Sequence, residues 1–277
     1  MLGLLGRAIA RFWSPLPPFC AERSDLHLWL AVFLIAVMGL VLGLLGGGGS
    51  ILTVPILVYV LGLEAHAAIV LSLVLVGGTS LVGTLLHQKH SHVAWKEGLL
   101  FVAFGAPLNF LGAEVSRHVS AGLLLVFFGV LMGICGLAML FKRTDRRDFA
   151  GGRSIWPVVA SGAAVGFLAG FLGVGGGFMI VPSLVLFLRL PMKSAAGTSL
   201  LVITANSAVA LFGHRQALHV GWIVLLELVP PALLATYLGV RLTQKLSAHL
   251  LRRIFGVVVI LLGVLMIVSN AAALYRR

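Results

Sequence analysis

Charge and cysteine are both scarce in this sequence. Of its 277 residues, 20 are Lys or Arg and only 8 are Asp or Glu, whereas about a quarter of a soluble domain is charged. A soluble core of this length would need a polar shell that the composition cannot supply, which excludes the soluble globular and disordered classes. The two cysteines, Cys20 and Cys135, are too few for a secreted disulfide framework, and we expect neither a bridge nor a metal site.

Apolar residues make up 60% of the chain, which also contains 34 glycines. They form eight hydrophobic runs separated by short polar breaks, and a bilayer core of about 30 Å needs around 20 helical residues per span. Alternating β-barrel segments of about 10 residues are not seen, so we predict an all-α polytopic membrane protein. The runs are Leu26–Leu63, Ala67–Leu86, Gly98–Ala113, Ser120–Phe141, Ile155–Leu190, Ser194–Gly213, Val220–Gly239 and Leu251–Leu274.

The net charge of +12 does not indicate a nucleic-acid partner, because the Lys and Arg residues are scattered at the ends of hydrophobic runs. The largest basic group lies in residues 142–154 and is typical of a cytoplasmic linker. Residues 1–25 contain three prolines and lack a signal-peptide pattern, so we expect an interfacial tail that stays attached. The linker separates a first transmembrane repeat, 26–141, from a second, 155–274.

The two halves match each other without gaps at an offset of 127 residues. Between Gly39–Val93 and Gly166–Val220, 20 of 55 pairs are identical, where this composition would give roughly one in ten by chance. Glycine, proline, serine and histidine positions are among the matches. Two homologous membrane halves are the plan of many secondary transporters, in which substrate binds between the halves near the midplane of the bilayer.

A glycine-rich segment interrupts the first run of each half, at Gly46–Ser50 and at Gly173–Gly177. Glycine costs about 1 kcal/mol relative to alanine inside a helix, so four glycines among five residues should break it. Pro55 and Pro182 follow in the shorter helices that we expect next. Backbone N–H groups in such turns, with the positive end of the following helix, can hold an anion. Close packing between helices is the alternative role of these glycines.

These segments carry a resemblance to a known family. The run from Gly170 to Pro182, GFLGVGGGFMIVP, followed by Ala195–Leu200, resembles the sulfite exporter TauE/SafE family of membrane transporters over about Leu28 to Ile267. The first copy departs from the pattern at Gly47 and Ser50. The resemblance implies transport of sulfite, organosulfonates or related small anions.

Polar residues on the helix after each break are further candidates, although interhelical hydrogen bonding is the common role of such residues in membranes. Asn206 stands apart because a buried amide has four hydrogen-bonding positions to satisfy. The candidate substrate-binding residues are Gly46, Gly48, Gly49, Ser50, Gly173, Gly175, Gly176, Gly177, Ser72, Thr198, Ser199 and Asn206.

Three titratable residues are candidates for coupling or gating. Glu227 is the only carboxylate well inside a run, and an intramembrane carboxylate is a functional candidate by default. Trp222 nearby places it only one to two turns deep. His87 and His214 occupy equivalent run ends and can titrate near neutral pH, or they can serve as interfacial anchors.

Enzyme interpretations fail on detail. Neither glycine segment ends in the Gly-Lys-Ser/Thr of a P-loop, and neither has the Gly-x-Gly-x-x-Gly of a dinucleotide site. Ser50 as the nucleophile of a membrane protease lacks a Gly-x-Ser-x-Gly setting, and its counterpart in the second half is Gly177. No enzyme activity and no metal or organic cofactor is predicted.

Topology remains open between two schemes, each of which places 13 of the 20 Lys and Arg residues in the cytoplasm. Counting each broken run as one crossing gives parallel repeats, and counting it as two gives inverted repeats. Runs of 36 to 38 residues extend about 54–57 Å as helix, which favours the inverted scheme. We predict a secondary transporter in the cell (inner) membrane that exports a small sulfur-containing anion. A passive anion channel of the same architecture is the alternative.

Overall fold

The computed structural model describes residues 25–47, 49–89, 93–116, 118–119, 121–141, 155–172, 177–213 and 222–274, and within them it contains helices and no strand. This confirms the predicted all-α class. The predicted tail and linker lie almost entirely outside these ranges. The helices are α1 Asp25–Leu45, α2 Ser50–Pro55, α3 Ala65–Gln88, α4 Trp95–Ser116, α5 Ala121–Phe141, α6 Ile155–Leu172, α7 Gly177–Leu186, α8 Met192–Gly213, α9 Trp222–Lys245 and α10 Ala248–Leu274.

Seven of these helices are long and apolar enough to cross a bilayer, namely α1, α3, α4, α6, α8, α9 and α10. Helices α2 and α7 are too short to cross a bilayer. A π-helical segment, Ile56–Val60, continues α2 beyond Pro55, and the 10-residue α7 rises only about 15 Å. Each of these short helices follows a long one, as the glycine segments predicted. The break in the first half lies at Gly46 and Gly47, whereas residues 173–176 are outside the described residues.

The helices pack in pairs that join residues 26–141 to residues 155–274. Helix α1 packs along α9, α4 along α6, α3 against α8, and α5 against α10. Helices of the two halves begin at positions 127 residues apart. These first residues are Ser50 and Gly177, Ala65 and Met192, Trp95 and Trp222, and Ala121 and Ala248.

Close contacts at glycines give the relative directions of the paired helices. On α1, a Cβ added to Gly39 would lie 2.5 Å from the carbonyl oxygen of Ala232, and one added to Gly43 would meet the backbone of Thr236. The residue numbers of the contacting pairs increase in the same direction along both helices, so α1 and α9 run parallel. The same argument makes α4 and α6 parallel, because Gly162 faces Phe101 and Gly170 faces Asn109.

The other two pairs run antiparallel. On α5, Gly129 faces Gly263 and Gly136 faces Gly256. The contacting residue numbers on α10 therefore decrease as those on α5 increase. Helices α3 and α8 show the same reversal, since Gly77 faces Ser207 and Gly83 faces Leu200.

Helix α7 lies in the interior of the bundle. Every residue from Gly177 to Val185 is buried, and the rings of Phe178 and Phe128 meet edge to face with centroids 4.9 Å apart. A short helix whose end falls inside a membrane must be covered by protein, because lipid cannot satisfy its terminal backbone groups. Helix α2 is less enclosed, and Tyr59 in its π-helical continuation is 86% exposed.

Candidate functional site

The broken segment of the first half rests on helix α8. Gly46 has φ +81°, a conformation that L side chains rarely adopt, and its N–H donates to the carbonyl of Leu42. Its own carbonyl accepts a hydrogen bond of 2.5 Å from the Ser199 hydroxyl, which also reaches the carbonyl of Ala196 at 2.7 Å. A Cβ at Gly46 would lie 2.5 Å from the Ala196 Cα. Glycine is therefore required here both for its backbone angle and for this close approach.

The start of α7 lies beside the same break. A Cβ added to Gly47 would collide with the carbonyl oxygen of Gly177, and the nearest side-chain atom beyond it belongs to Val181. The segment that leads into α2 and the first residue of α7 are thus in backbone contact. The predicted residues Gly48, Gly173, Gly175 and Gly176 lie outside the described residues, as does the side chain of Ser50.

A small cavity adjoins the first turn of α7. Its volume is about 20 Å³, roughly the room that one water molecule needs. Two carboxamides, Asn109 and Asn206, are the polar side chains on its wall, and neither is hydrogen-bonded within the part of the chain that the structure describes. The lining residues are Phe101, Gly105, Ala106, Asn109, Val165, Gly166, Ala169, Ile180 and Asn206.

Asn206 was a sequence candidate, but Asn109 was not. Asn109 lies within the apolar run Gly98–Ala113 and reaches the cavity only because α4 packs along α6. Its polarity inside a hydrophobic run, and its alignment with the polar Thr236 in the repeat, were the available signals. Asn109 therefore lines the cavity because of packing between helices that are distant in sequence.

Three other sequence candidates are already engaged in hydrogen bonds. The Thr198 hydroxyl accepts from the backbone N–H of Ala94 at 2.9 Å and so fixes the start of α4 to α8. Ser199 holds the Gly46 carbonyl, as described above. The Ser72 hydroxyl donates to the carbonyl of Ile69 in its own helix. Ser72 does not line the cavity, and its contact matches the alternative, structural role of such residues.

Two other hydroxyls lie in the interior of the bundle. Thr53 Oγ1 on α2 and Ser80 Oγ on α3 are fully buried and have no hydrogen-bond partner among the described residues. In the 127-residue alignment, Thr53 corresponds to Ile180, which lines the cavity beside α7. A buried hydroxyl without a hydrogen-bond partner lowers the stability of the fold.

Neither Glu227 nor His87 lines this cavity. Glu227 is exposed on α9, five residues after Trp222 begins the helix, which is about 7.5 Å along its axis. His87 is fully buried in the last turn of α3, and His214 is outside the described residues. The pH-gating role of the two histidines stays a prediction.

Replacing Glu227 by glutamine tests whether this carboxylate carries a coupling proton. The side chain does not line the cavity, so substrate exchange should persist in the Glu227→Gln protein, whereas uptake driven by a pH gradient should be lost. Both fluxes can be measured with labelled substrate in the same proteoliposomes. Unchanged pH-driven uptake would remove Glu227 from the mechanism.

Comparisons with known proteins identify the kind of protein that has this architecture. A "Probable membrane transporter protein" of Xylella fastidiosa is 34% identical over 245 residues, covering 86% of this chain and 94% of its own. YunE of Bacillus subtilis is 30% identical over 263 residues, covering 84% and 96%, and MJ0441 of Methanocaldococcus jannaschii is 26% identical over 272 residues, covering 88% and 98%. Both bear the same description. No solved structure matches the chain.

The family description agrees with these names. The sequence model described as "Sulfite exporter TauE/SafE" matches residues 31–266, which include each of the ten described helices in whole or in large part. The match and the names of the relatives indicate a multi-pass membrane transporter and not an enzyme. The chain therefore belongs to the sulfite exporter TauE/SafE family of membrane transporters.

Proposed function

We propose that this protein is a secondary transporter that carries a small sulfur-containing oxyanion, such as sulfite or an organosulfonate, out of the cell across the inner membrane. The observation that carries the proposal is the backbone contact between Gly47 and Gly177, which brings the starts of the two short helices together beside a cavity with two carboxamides. Backbone N–H groups and a helix start favour an anion at this place.

The contact lies well inside the bundle. Ser199, which holds the Gly46 carbonyl, is the eighth residue of the 22-residue helix α8. The break is therefore about 10 Å from the beginning of a helix that rises about 33 Å in all. A site at this depth lies inside the membrane, nearer to the end where α8 begins, and substrate can reach it from both sides only by alternating access.

The directions of the paired helices support inverted halves. The corresponding helices α3 and α8, and likewise α5 and α10, run antiparallel where they pack, as two halves of opposite orientation would require. Five helical elements lie among the described residues of each half, so the end of α5 lies on the opposite side of the membrane from the start of α1.

Positive charge indicates which side is cytoplasmic. All Lys and Arg among the described residues lie at one end of the bundle, where α3 ends, α4 and α8 begin and α9 turns into α10. A hydrogen bond of 2.8 Å from Lys193 Nζ to the carbonyl of Gln244 joins two of these helix ends. The positive-inside tendency then places this end, with the basic segment 142–154, in the cytoplasm. These residues are Lys89, Lys96, Arg189, Lys193, Arg241, Lys245, Arg252 and Arg253.

A reporter fusion tests this orientation. Alkaline phosphatase, which is active only outside the cytoplasm, should be inactive when inserted within 142–154 and active when joined to the amino terminus. The opposite pattern would reverse the orientation, and activity at both places would contradict an odd number of crossings per half.

A carrier fits the site better than the alternative, a passive anion channel. The cavity of about 20 Å³ is too small to pass a hydrated anion, and none of its lining residues is charged. Neutral donors and a helix start can release an anion that a fixed Lys or Arg would retain. A conformational change is then needed for transport, which is the defining property of a carrier.

A binding screen followed by a flux assay tests the proposal. Purified protein is heated with sulfite, thiosulfate, sulfate, taurine or sulfoacetate, and a ligand that binds only the folded state should raise its melting temperature. Labelled substrate should then enter proteoliposomes with saturable kinetics, accelerated by unlabelled substrate inside. A flux linear in concentration and indifferent to counterflow would establish the channel instead.

A further inference from the structure

We infer that Asn109 and Asn206 form the polar face that selects the substrate, and that this face exists beside α7 without an equivalent beside α2. The inference rests on the proposed transport function. It goes beyond that function because it assigns recognition of the oxyanion to the residues beside α7 and not to the related residues beside α2. The ligand class is a small sulfite or sulfonate oxyanion held by neutral amide donors.

The two amides come from different helices and face one cavity. Asn109 is on α4 and Asn206 on α8, and the first turn of α7 contributes Ile180 to the same wall. The remaining wall is apolar, with Phe101 and Val165 as its largest members. An amide that makes no hydrogen bond within the described chain is free to donate to an oxyanion.

The corresponding polar positions beside α2 are threonines whose hydroxyls are occupied. In the 127-residue alignment, Asn109 corresponds to Thr236 and Asn206 to Thr79. The Thr236 hydroxyl donates to the carbonyl of Gly39 at 3.2 Å, and the Thr79 hydroxyl donates to the carbonyl of Leu75 at 2.7 Å. Both side chains are almost completely buried. Neither therefore offers a group to a ligand.

Larger side chains also fill the space beside α2. Val165 and Ala169, which line the cavity, correspond to Met38 and Leu42, and both of these are fully buried. A Cβ added to Gly49 would lie 3.0 Å from Leu42 Cβ and would collide with the carbonyl oxygen of Met38. Helix α1 thus packs directly under Gly49, whereas Val165 and Ala169 on α6 line a cavity.

Exchanging the amides for the threonines found beside α2 tests the inference. The Asn109→Thr and Asn206→Thr proteins keep a residue type that packs at the related position, so they should remain folded. Each should raise the dissociation constant of sulfite and of taurine, whichever the parent binds, roughly ten- to a hundredfold, because hydrogen bonds to a charged ligand are lost. Isothermal titration with each probe gives the constants and shows which of the two is preferred.

Matched controls separate recognition from packing. Thr79→Val and Thr236→Val remove the related hydroxyls at equal size and should leave the dissociation constant within about twofold of the parent value. Asn206→Asp keeps the shape of the side chain but adds negative charge, and should abolish anion binding even if the threonine variants prove unstable.

The outcomes are distinct. Parent-like binding by both asparagine-to-threonine proteins, or by Asn206→Asp, overturns the assignment of the amides while transport itself stands. Weakened binding in the valine controls overturns the asymmetry, because the place beside α2 would then take part. A parent protein that binds neither sulfite nor taurine contradicts the proposed function, and this inference with it.

Discussion

Replacing Gly112 by leucine is expected to prevent most of the protein from reaching a stable fold. Gly112 lies where α4 and α6 are in backbone contact, and a Cβ there would lie 2.7 Å from the Phe171 amide nitrogen and 3.0 Å from the Phe167 carbonyl carbon. A leucine would force the two helices apart along their whole contact. Overpacking costs about 1–3 kcal/mol in ordinary cores, and we expect a cost of about 3 kcal/mol or more here because backbone atoms cannot yield.

The measurement is the yield of monodisperse protein in detergent and its melting temperature. Gly133→Leu on α5 is the matched control, because nothing lies within 4 Å of a Cβ at that position and the substitution also favours helix. The control should behave as the parent or better, while Gly112→Leu should lose at least nine-tenths of its folded yield. Equal stability of the two variants would show that α4 and α6 do not pack this closely.

The second large effect is expected at the glycine segments themselves. Gly48→Ala and Gly175→Ala should each weaken substrate binding at least tenfold, because an added Cβ closes the turn over the backbone donors and restricts the angles they need. Gly48 is one residue from Gly47 in the sequence and Gly175 is two residues from Gly177. Gly47 and Gly177 are in contact, so both changes should act on one ligand. Folded yield should persist, since the effect falls on binding. A packing glycine such as Gly112 should show the reverse pattern.

Local features of the chain were predictable from the sequence. Glycine segments break helices wherever they stand, so the ends of α1 at Leu45 and of α6 at Leu172 followed from composition alone. Helix ends near the membrane surface were harder to predict from the sequence. The last part of α9 continues from Gly239 to Lys245, past the end of the apolar run. The guanidinium of Arg241 lies 4.6 Å from the centre of the Tyr237 ring, a contact the hydropathy pattern does not contain.

Contacts between distant helices were not predictable. Thr198 and Ser199 are adjacent in sequence and were interpreted together, yet one fixes the start of α4 and the other holds the turn at Gly46. Asn109 became a candidate only through the pairing of α4 with α6. A single sequence gives the polar residues of each helix, but which neighbouring helix each of them contacts depends on the tertiary fold. The site therefore needed the structure, whereas the helix breaks did not.

The central claim is that the two glycine segments converge on one anion site, and the most direct measurement is the dissociation constant of one substrate anion for Gly48→Ala and Gly175→Ala, titrated side by side. Gly133→Ala provides the control for handling and detergent. The convergence of the two short helices predicts that both variants lose at least tenfold in affinity while their melting temperatures without ligand stay close to that of the parent. If one variant binds as the parent does and only the other is impaired, the two segments do not share a site.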